Sequence, residues 1–126
     1  MKYTVLVERI CYSLIFILAS FGHFTSQSIQ YAAQSGVPFA ALLVPLSGLM
    51  CLIGGISILL GYKAKIGAWL IVVFLLIVSI MMHAFWSIQD PLAASLERIM
   101  FLKNLSMLGG ALLITYFGSG PLSWKE

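Results

Sequence analysis

The sequence predicts an all-α membrane protein in which four transmembrane helices form an up-down-up-down antiparallel bundle. Of its 126 residues, 61% are hydrophobic and 9% are charged, and the mean hydropathy of +1.05 is too high for an ordinary soluble domain. A bilayer core about 30 Å thick needs roughly 20 helical residues to cross it, and four apolar stretches are that long, at about 3–24, 38–61, 66–86 and 97–117. Their connections are short, so successive helices must be antiparallel neighbours. We therefore expect a single four-span domain over residues 1–126.

Local signals indicate where the spans begin and end. The first span follows a basic start but has no small-x-small cleavage site, so we expect it to be retained rather than removed as a signal peptide. After it, residues 28–35 are expected to form one or two interfacial helical turns that end at Gly36, with Pro38 in the first position of the next helix. Asp90 and Pro91 form an N-cap followed by proline, so the fourth helix is expected to begin outside the hydrocarbon.

The few charges predict the orientation of the spans. Net charge is +3, but the seven Lys and Arg residues are scattered without a basic face, so no nucleic-acid partner is expected. One side of the predicted bundle carries Lys2, Lys63, Lys65 and Lys125, whereas the connections on the other side are uncharged or contain acidic Asp90. Because positive residues favour the cytoplasmic side, both termini are predicted to be cytoplasmic.

Five side chains are predicted to converge on the outer side, and they form the candidate ligand site. They are His23, His83, Trp86, Lys103 and Asn104. A lysine within a membrane span is costly unless it is paired or hydrated, so Lys103 is expected to face a polar cavity and bind a polar or anionic head group. The alternative is that Lys103 reaches the interface by snorkelling, that Asn104 bonds a neighbouring helix and that Trp86 is an interfacial anchor.

A polar sector on the first helix is predicted to face the bundle interior. Residues spaced by three or four share a helix face, and this sector contains Arg9, Tyr12, Ser13, Phe16, Ser20 and His23. Ser79 lies one turn from His83 on the third helix. Glu8 and Arg9 are interpreted either as a locally compensated pair or as a packing anchor.

The two cysteines are not expected to form a disulfide or to bind a metal ion. Cys11 and Cys51 lack metal-ligand spacing, and Cys11 points away from the polar sector. Ser47, Cys51 and Gly55 instead form a ridge of small residues suited to close helix contact. The glycine pairs at 54–55 and 109–110 are given the same interpretation.

Several segments in this order resemble the DoxX family. They are an arginine early in the first helix, Phe21-Gly22 before a polar residue, QYAAQSGVPFA, LIGGISILLGYKAKIGAWL, HAFW, FLKNLSMLGGALL and a GSGPLSW tail. The positions that match the family pattern are Arg9, Gly22, Gly36, Pro38, Gly55, Gly61, His83, Trp86, Lys103, Asn104 and Gly110. The chain departs from the pattern at Cys51, where many members have glutamate, and at His23, where lysine is common.

The resemblance implies a four-helix protein of the bacterial cytoplasmic membrane, in a family named after a subunit of a thiosulfate:quinone oxidoreductase. The main hypothesis is a redox-associated subunit whose outer pocket binds a quinone or a small anion. The chain has no intrinsic cofactor motif, so a redox partner subunit would hold the other centre. The alternative is a non-catalytic membrane scaffold or assembly factor, with a homo-oligomer left open. A small four-helix transporter is disfavoured because no carboxylate lies at mid-membrane.

Overall fold

A computed structural model of the chain describes residues 1–124 and is helical apart from its connections and its last residues. The α-helices are α1 (Lys2–Ser20), α2 (Ser26–Gln34), α3 (Ala40–Leu60), α4 (Ala64–Met82) and α5 (Pro91–Phe117). Short 3-10 turns, Phe21–Phe24 and Phe85–Ser87, extend α1 and precede α5. Four helical stretches are long and apolar enough to cross a membrane. The predicted all-α membrane protein with four spans is therefore confirmed.

The helix ends follow the local signals except at the start of α3. Gly36 ends α2 with a positive φ of 95°, and the Val37 amide donates to the Ala32 carbonyl across the cap. The Asp90 carboxylate accepts a hydrogen bond from the Ala93 amide at 3.2 Å, so α5 begins at Pro91 as its cap predicts. The prediction that Pro38 begins the next helix is wrong.

The reason for that difference is a turn between Pro38 and α3. Phe39 has a left-handed backbone with φ of 51° and precedes the first residue of α3, Ala40. Pro38 therefore lies before the helix rather than within its first turn. The helix begins two residues later and ends one residue earlier than predicted, and it still has 21 residues.

The spans pack in chain order, with α3 and α4 in the middle. α1 packs against α3, α3 against α4, and α4 against α5. The buried core lies between them and consists of Phe16, Cys51, Ile58, Ala64, Ala68, Ile71, Val72, Leu75, Ala111 and Ile114. Tyr12 joins α1 to α5, because its hydroxyl donates to the Met107 carbonyl and its ring lies on Gly110.

Glycines allow the central helices to approach closely. A β-carbon on Gly54 would lie 2.9 Å from the Gly67 carbonyl oxygen, and one on Gly55 would lie 2.8 Å from Ile17. The ridge of Cys51 and Gly55 is buried against the neighbouring helices, as the sequence predicts. Most of the glycines therefore lie at close contacts within this chain, whereas a β-carbon on Gly109 would have no neighbouring atom within 4 Å.

The residues after α5 fold back onto the carboxyl end of α3. The Trp124 amide donates to the Leu60 carbonyl at 3.0 Å, and the Trp124 ring meets the Tyr62 ring edge to face. Arg9, which is 1% exposed, donates from Nη2 to the Leu122 carbonyl at 2.5 Å and to the Pro121 carbonyl at 3.3 Å. We term residues 118–124 the tail.

Arg9 is thus a packing anchor rather than one half of a local ion pair. Glu8 lies on the exposed side of α1. Within residues 1–124, no Lys or Arg nitrogen lies within 4.0 Å of a carboxylate, and the one histidine–carboxylate contact is that between His83 and Glu97. The carbonyls that Arg9 contacts lie beside the carboxyl ends of α3 and α5, where helix dipoles favour a positive charge.

Candidate functional site

A cavity of about 620 Å³ opens at the end of the bundle that carries α2, and we term this end the α2 end. Its walls come from the 3-10 turn after α1, from α2 and the connection that follows it, from the first half of α3 and from the second half of α4. The lining residues are His23, Gln27, Ser28, Tyr31, Ala32, Val37, Leu43, Val44, Leu46, Ser47, Met50, Phe74, Ile77, Val78, Met81, Met82 and His83. The walls are therefore mainly apolar, with a small set of hydrogen-bonding groups.

The cavity exists because α1 ends well below the start of α3. Arg9 lies against Gly61, and His23 lies against Gly48. Arg9 and His23 are about 20 Å apart along α1 and its 3-10 turn, at 1.5 Å per residue, and Gly48 and Gly61 are about 20 Å apart along α3. The two contacts therefore give the same offset between α1 and α3 along their axes. α1 with its 3-10 turn consequently stops about 12 Å short of Ala40. α2 covers the upper part of α3 that α1 leaves open, and the cavity lies beneath it.

His23 is held in the cavity wall by α3. Its Nδ1 lies 2.8 Å from Ser47 Oγ, and the Ser47 hydroxyl donates to the Val44 carbonyl at 2.6 Å. Because that hydroxyl proton is already used, Nδ1 of His23 must be the donor to Ser47, which leaves Nε2 as the acceptor of the neutral ring. A β-carbon on Gly48 would lie 2.6 Å from the His23 β-carbon. Only glycine allows His23 to sit there.

His83 lines the same cavity and links α4 to α5. It follows the last residue of α4, and its Nδ1 donates to the Glu97 carboxylate at 2.5 Å. Both side chains are 24% exposed. The pair therefore closes one edge of the cavity next to the start of α5.

Of the five predicted site residues, the structure brings together His23 and His83 and leaves the other three outside the cavity lining. Trp86 is 58% exposed and stacks edge to face on Phe85 and Phe101, which is the arrangement of an interfacial anchor. Asn104 is buried within the bundle.

The expectation that Lys103 faces a shared cavity is not met. Lys103 is on the exposed side of α5, and its ammonium contacts Met100 Sδ at 3.6 Å. The physical reason is helix phase: Lys103 lies 100° around α5 from Asn104, and Asn104 is the residue that faces inward. Lys103 is therefore placed to snorkel along the outside of the bundle.

The polar sector of α1 faces inward, and its hydroxyl groups bond within the chain. Ser13 donates to the Ile10 carbonyl at 3.3 Å, and Ser20 donates to the Ile17 carbonyl at 2.6 Å. Ser79 on α4 is also buried. The hydroxyl groups of Ser13 and Ser20 therefore bond within their own helix. Both cysteines are free thiols, with Cys11 exposed and Cys51 buried.

The polar residues of α2 that line the cavity, Gln27, Ser28 and Tyr31, were not predicted as site residues. The signal that could have found them is the run of polar residues in SQSIQYAAQ, because such a run in an interfacial helix marks a polar face. Ser47 was assigned to helix packing alone, whereas it also orients His23.

Among its described residues, the cavity offers hydrogen-bonding groups rather than an activated nucleophile. Each imidazole already bonds a protein group, and the Ser47 hydroxyl is bonded to the backbone rather than activated by a base. In the described part of the chain, no three His, Cys, Asp or Glu residues cluster as metal ligands.

Comparison with known proteins identifies the family. The model of the SURF4 family matches residues 2–126. Inner membrane protein YqjF of Escherichia coli (strain K12) is 33% identical over 121 residues, which cover 94% of this chain and 87% of that protein. Inner membrane protein YphA of the same organism is 30% identical, over 94% of this chain and 85% of that protein.

A eukaryotic relative matches a shorter region. The Surfeit locus protein 4 homolog of Drosophila melanogaster is 36% identical over 73 residues, which cover 56% of this chain and 27% of that protein. No solved structure matches the chain.

These matches overturn the resemblance to the DoxX family. The family model that covers nearly the whole chain is a different one, and the relatives that align along its length are the inner membrane proteins YqjF and YphA. The DoxX assignment is therefore wrong, and the link that it implied to thiosulfate and quinone chemistry loses its support. This chain is an integral membrane protein that belongs to the SURF4 family.

Proposed function

We propose that this chain is a non-catalytic membrane protein that binds a lipid-like guest in the cavity at the α2 end. The observation that carries the proposal is the cavity of about 620 Å³, whose two imidazoles each already bond a protein group. A site of this size and polarity is suited to holding a mainly apolar molecule. This proposal keeps the non-catalytic alternative that the sequence offered. The surface that contacts another molecule is, however, the cavity and not the glycine ridges, because those ridges pack within the chain.

The proposed location is the bacterial inner membrane, with the α2 end facing outward. Two relatives that align along most of the chain are both described as inner membrane proteins. Lys2, Lys63 and Lys65 lie at the opposite end of the bundle from α2, which the positive-inside rule assigns to the cytoplasm. Lys125, the fourth cation on which the predicted orientation depends, lies outside the described residues.

The orientation can be tested by labelling single cysteines with a membrane-impermeant thiol reagent in intact cells. In a background with Cys11→Ala and Cys51→Ala, Gln30→Cys on the exposed side of α2 is expected to react from outside. Lys65→Cys, at the opposite end, is expected to react only after the membrane is opened. The reverse pattern would place the cavity on the cytoplasmic side.

A quinone is a second proposed guest of the same cavity, since an imidazole can bond a quinone oxygen. His23 supports the reduced form of this guest, because its Nδ1 donates to Ser47 and leaves Nε2 to accept a hydrogen bond from a quinol hydroxyl. A small anion is a weaker proposal, because the cation that was expected to bind it, Lys103, does not line the cavity. Oxidation of a quinol by the purified chain would contradict the non-catalytic proposal.

Filling the cavity is expected to weaken guest binding. Val78 lines the cavity from α4, whereas Val73 on the same helix is exposed and does not. Titration of the purified chain in nanodiscs with a pyrene-labelled long-chain alcohol should show one saturable site. Val78→Phe is expected to weaken that binding by about tenfold or more, since the added ring occupies the guest's volume.

The controls are Val73→Phe, which adds the same ring outside the cavity, and Lys103→Met, which removes the charge on the outside of α5. Both should bind the probe as the unmodified chain does. Equal, unsaturable partitioning of the probe into all four samples would show that the cavity has no binding function. Weaker binding by Lys103→Met alone would show that Lys103 takes part in binding the probe.

A further inference from the structure

We infer, on the basis of the proposed function, that the guest is a single-chain amphiphile with an uncharged, hydrogen-bonding head. Three features of the cavity lead to this class of ligand: its depth, the distribution of its polar groups and the absence of charged side chains from its described lining. Together with the cavity volume, they disfavour ionised and two-chain lipids.

The depth of the cavity corresponds to one leaflet of a bilayer. Its deepest residue on α3 is Met50, which lies about 15 Å below Ala40 along the helix. On α4 the deepest residue is Phe74, about 12 Å below Met82. Half of a hydrocarbon core about 30 Å thick is a similar distance. A lipid chain that enters from the α2 end can therefore lie along the whole cavity without crossing the midplane.

The polar groups are concentrated on one wall. α2 contributes Gln27, Ser28 and Tyr31, and the end of α1 contributes His23. The facing wall from α3 and α4 is almost entirely aliphatic, aromatic or methionine side chains, with Ser47 as its hydroxyl and His83 at the edge. Such a two-sided cavity solvates a head group with α2 and a hydrocarbon chain with α3 and α4.

The head that fits this wall is uncharged. Among the described residues that line the cavity, none is Lys, Arg, Asp or Glu. Glu97 is engaged by His83. An ionised head drawn into the cavity would lose water without gaining an opposite charge, which is unfavourable at membrane depth. Hydroxyl and amide heads instead find donors and acceptors in Gln27 and Ser28.

The volume restricts the guest to one chain. A cavity of about 620 Å³ lies in the range of about 300–1000 Å³ that holds one drug-sized molecule. A chain with a small head is of that size, whereas a two-chain phospholipid with its head group is considerably larger. The cavity is also partly open, so the end of a longer chain can extend beyond it.

The test is displacement of the pyrene-labelled alcohol by three molecules with matched chains. Monooleoylglycerol has an uncharged head with two hydroxyl groups, oleate at alkaline pH has an ionised head, and octadecene has no head. Monooleoylglycerol is expected to displace the probe at the lowest concentration, with oleate at least about tenfold weaker because its charge has no partner. Displacement by oleate at an equal or lower concentration would overturn the inference.

Variants of α2 test whether its polar side chains bind the head group. Gln27→Leu combined with Ser28→Ala should remove the preference for monooleoylglycerol over octadecene while both still bind. Gln30→Leu, on the same helix but outside the cavity lining, is the matched control and should keep the preference. Loss of preference in both variants, or in neither, would contradict the inference. Failure of every molecule, including the pyrene probe, to bind the unmodified chain would instead contradict the proposed function.

Discussion

Gly61→Ala is expected to lower the free energy of unfolding by about 2–4 kcal/mol, one of the two largest effects that we expect of a single substitution. Gly61 ends α3 with a φ of 72°, a left-handed conformation that costs an L-residue roughly 1–2 kcal/mol. A β-carbon there would also overlap with Arg9 Nη1 and with the Ser123 β-carbon. Relief of both contacts requires the Arg9 side chain and the tail to move away from the end of α3.

A second substitution separates the strain from the steric contact. Asparagine tolerates the left-handed conformation better than alanine does but still carries a β-carbon. If the contacts with Arg9 and Ser123 dominate, Gly61→Asn should be about as destabilising as Gly61→Ala. The measurement is the thermal unfolding midpoint in a mild detergent. Full recovery of stability in Gly61→Asn would show that backbone strain, and not the tail, is the cause.

Gly109→Ala is the matched control for this series. Gly109 lies inside α5, and a β-carbon on it would have no atom within 4 Å. Because glycine is unfavourable within a helix, Gly109→Ala should leave stability unchanged or raise it by about 0.5–1 kcal/mol. A loss in Gly109→Ala as large as that in Gly61→Ala would contradict the proposed contact between the tail and the end of α3.

The spans and several helix ends could be predicted because they depend on local chemistry. Hydropathy over about 20 residues identifies a membrane helix without reference to its neighbours. Asp90 and Pro91 similarly fix the start of α5 through a bond within one turn. Pro38 misled the prediction because the left-handed Phe39 follows it, and a conformation of that kind has no clear sequence signal in a residue other than glycine.

The cavity could not be predicted, because helical periodicity gives the phase of a residue but not its axial position relative to another helix. The pattern on α1 correctly placed Arg9 and Ser20 on an inward face. It did not show that His23 lies beside Gly48 rather than beside Ala40. That offset creates the space beneath α2, and it depends on contacts between helices that are far apart in sequence.

The same limit explains the different positions of Lys103 and Asn104. Their 100° separation follows from the helix itself, but which of the two faces inward depends on how α5 packs against α4. The cost of a membrane-embedded lysine suggested that Lys103 would face a cavity. The structure places it on the outside of the bundle instead, where a long side chain can reach the interface.

Arg9→Met is expected to release the tail and to lower the free energy of unfolding by about 2 kcal/mol. Arg9 Nη2 donates to the carbonyls of Pro121 and Leu122, and hydrogen bonds from a charged group are worth about 1.5–3 kcal/mol. Methionine has similar length but no donor, so both carbonyls would lose their partner. Removal of a buried charge offsets part of this loss, which keeps the expected value near the lower end.

The conformation of Leu122 makes the tail sensitive to this change. Leu122 has a φ of 56°, which is unfavourable for leucine and persists only where surrounding contacts hold it. The bond from Arg9 to its carbonyl is such a contact. Without that bond, we expect Leu122 to return to an extended or right-handed conformation. The Trp124 amide and ring would then leave Leu60 and Tyr62.

Trp124 fluorescence reports the release directly when Trp69→Phe and Trp86→Phe remove the other two tryptophans. In that background, Arg9→Met should lower the anisotropy of the Trp124 emission and change its lifetime, because the ring, which is already 74% exposed, loses its contact with Tyr62. Arg98→Met, which removes an exposed arginine at the α2 end, should change neither signal. Unchanged anisotropy and lifetime of the Trp124 emission in Arg9→Met, with a loss of stability no greater than that of Arg98→Met, would show that Arg9 does not hold the tail.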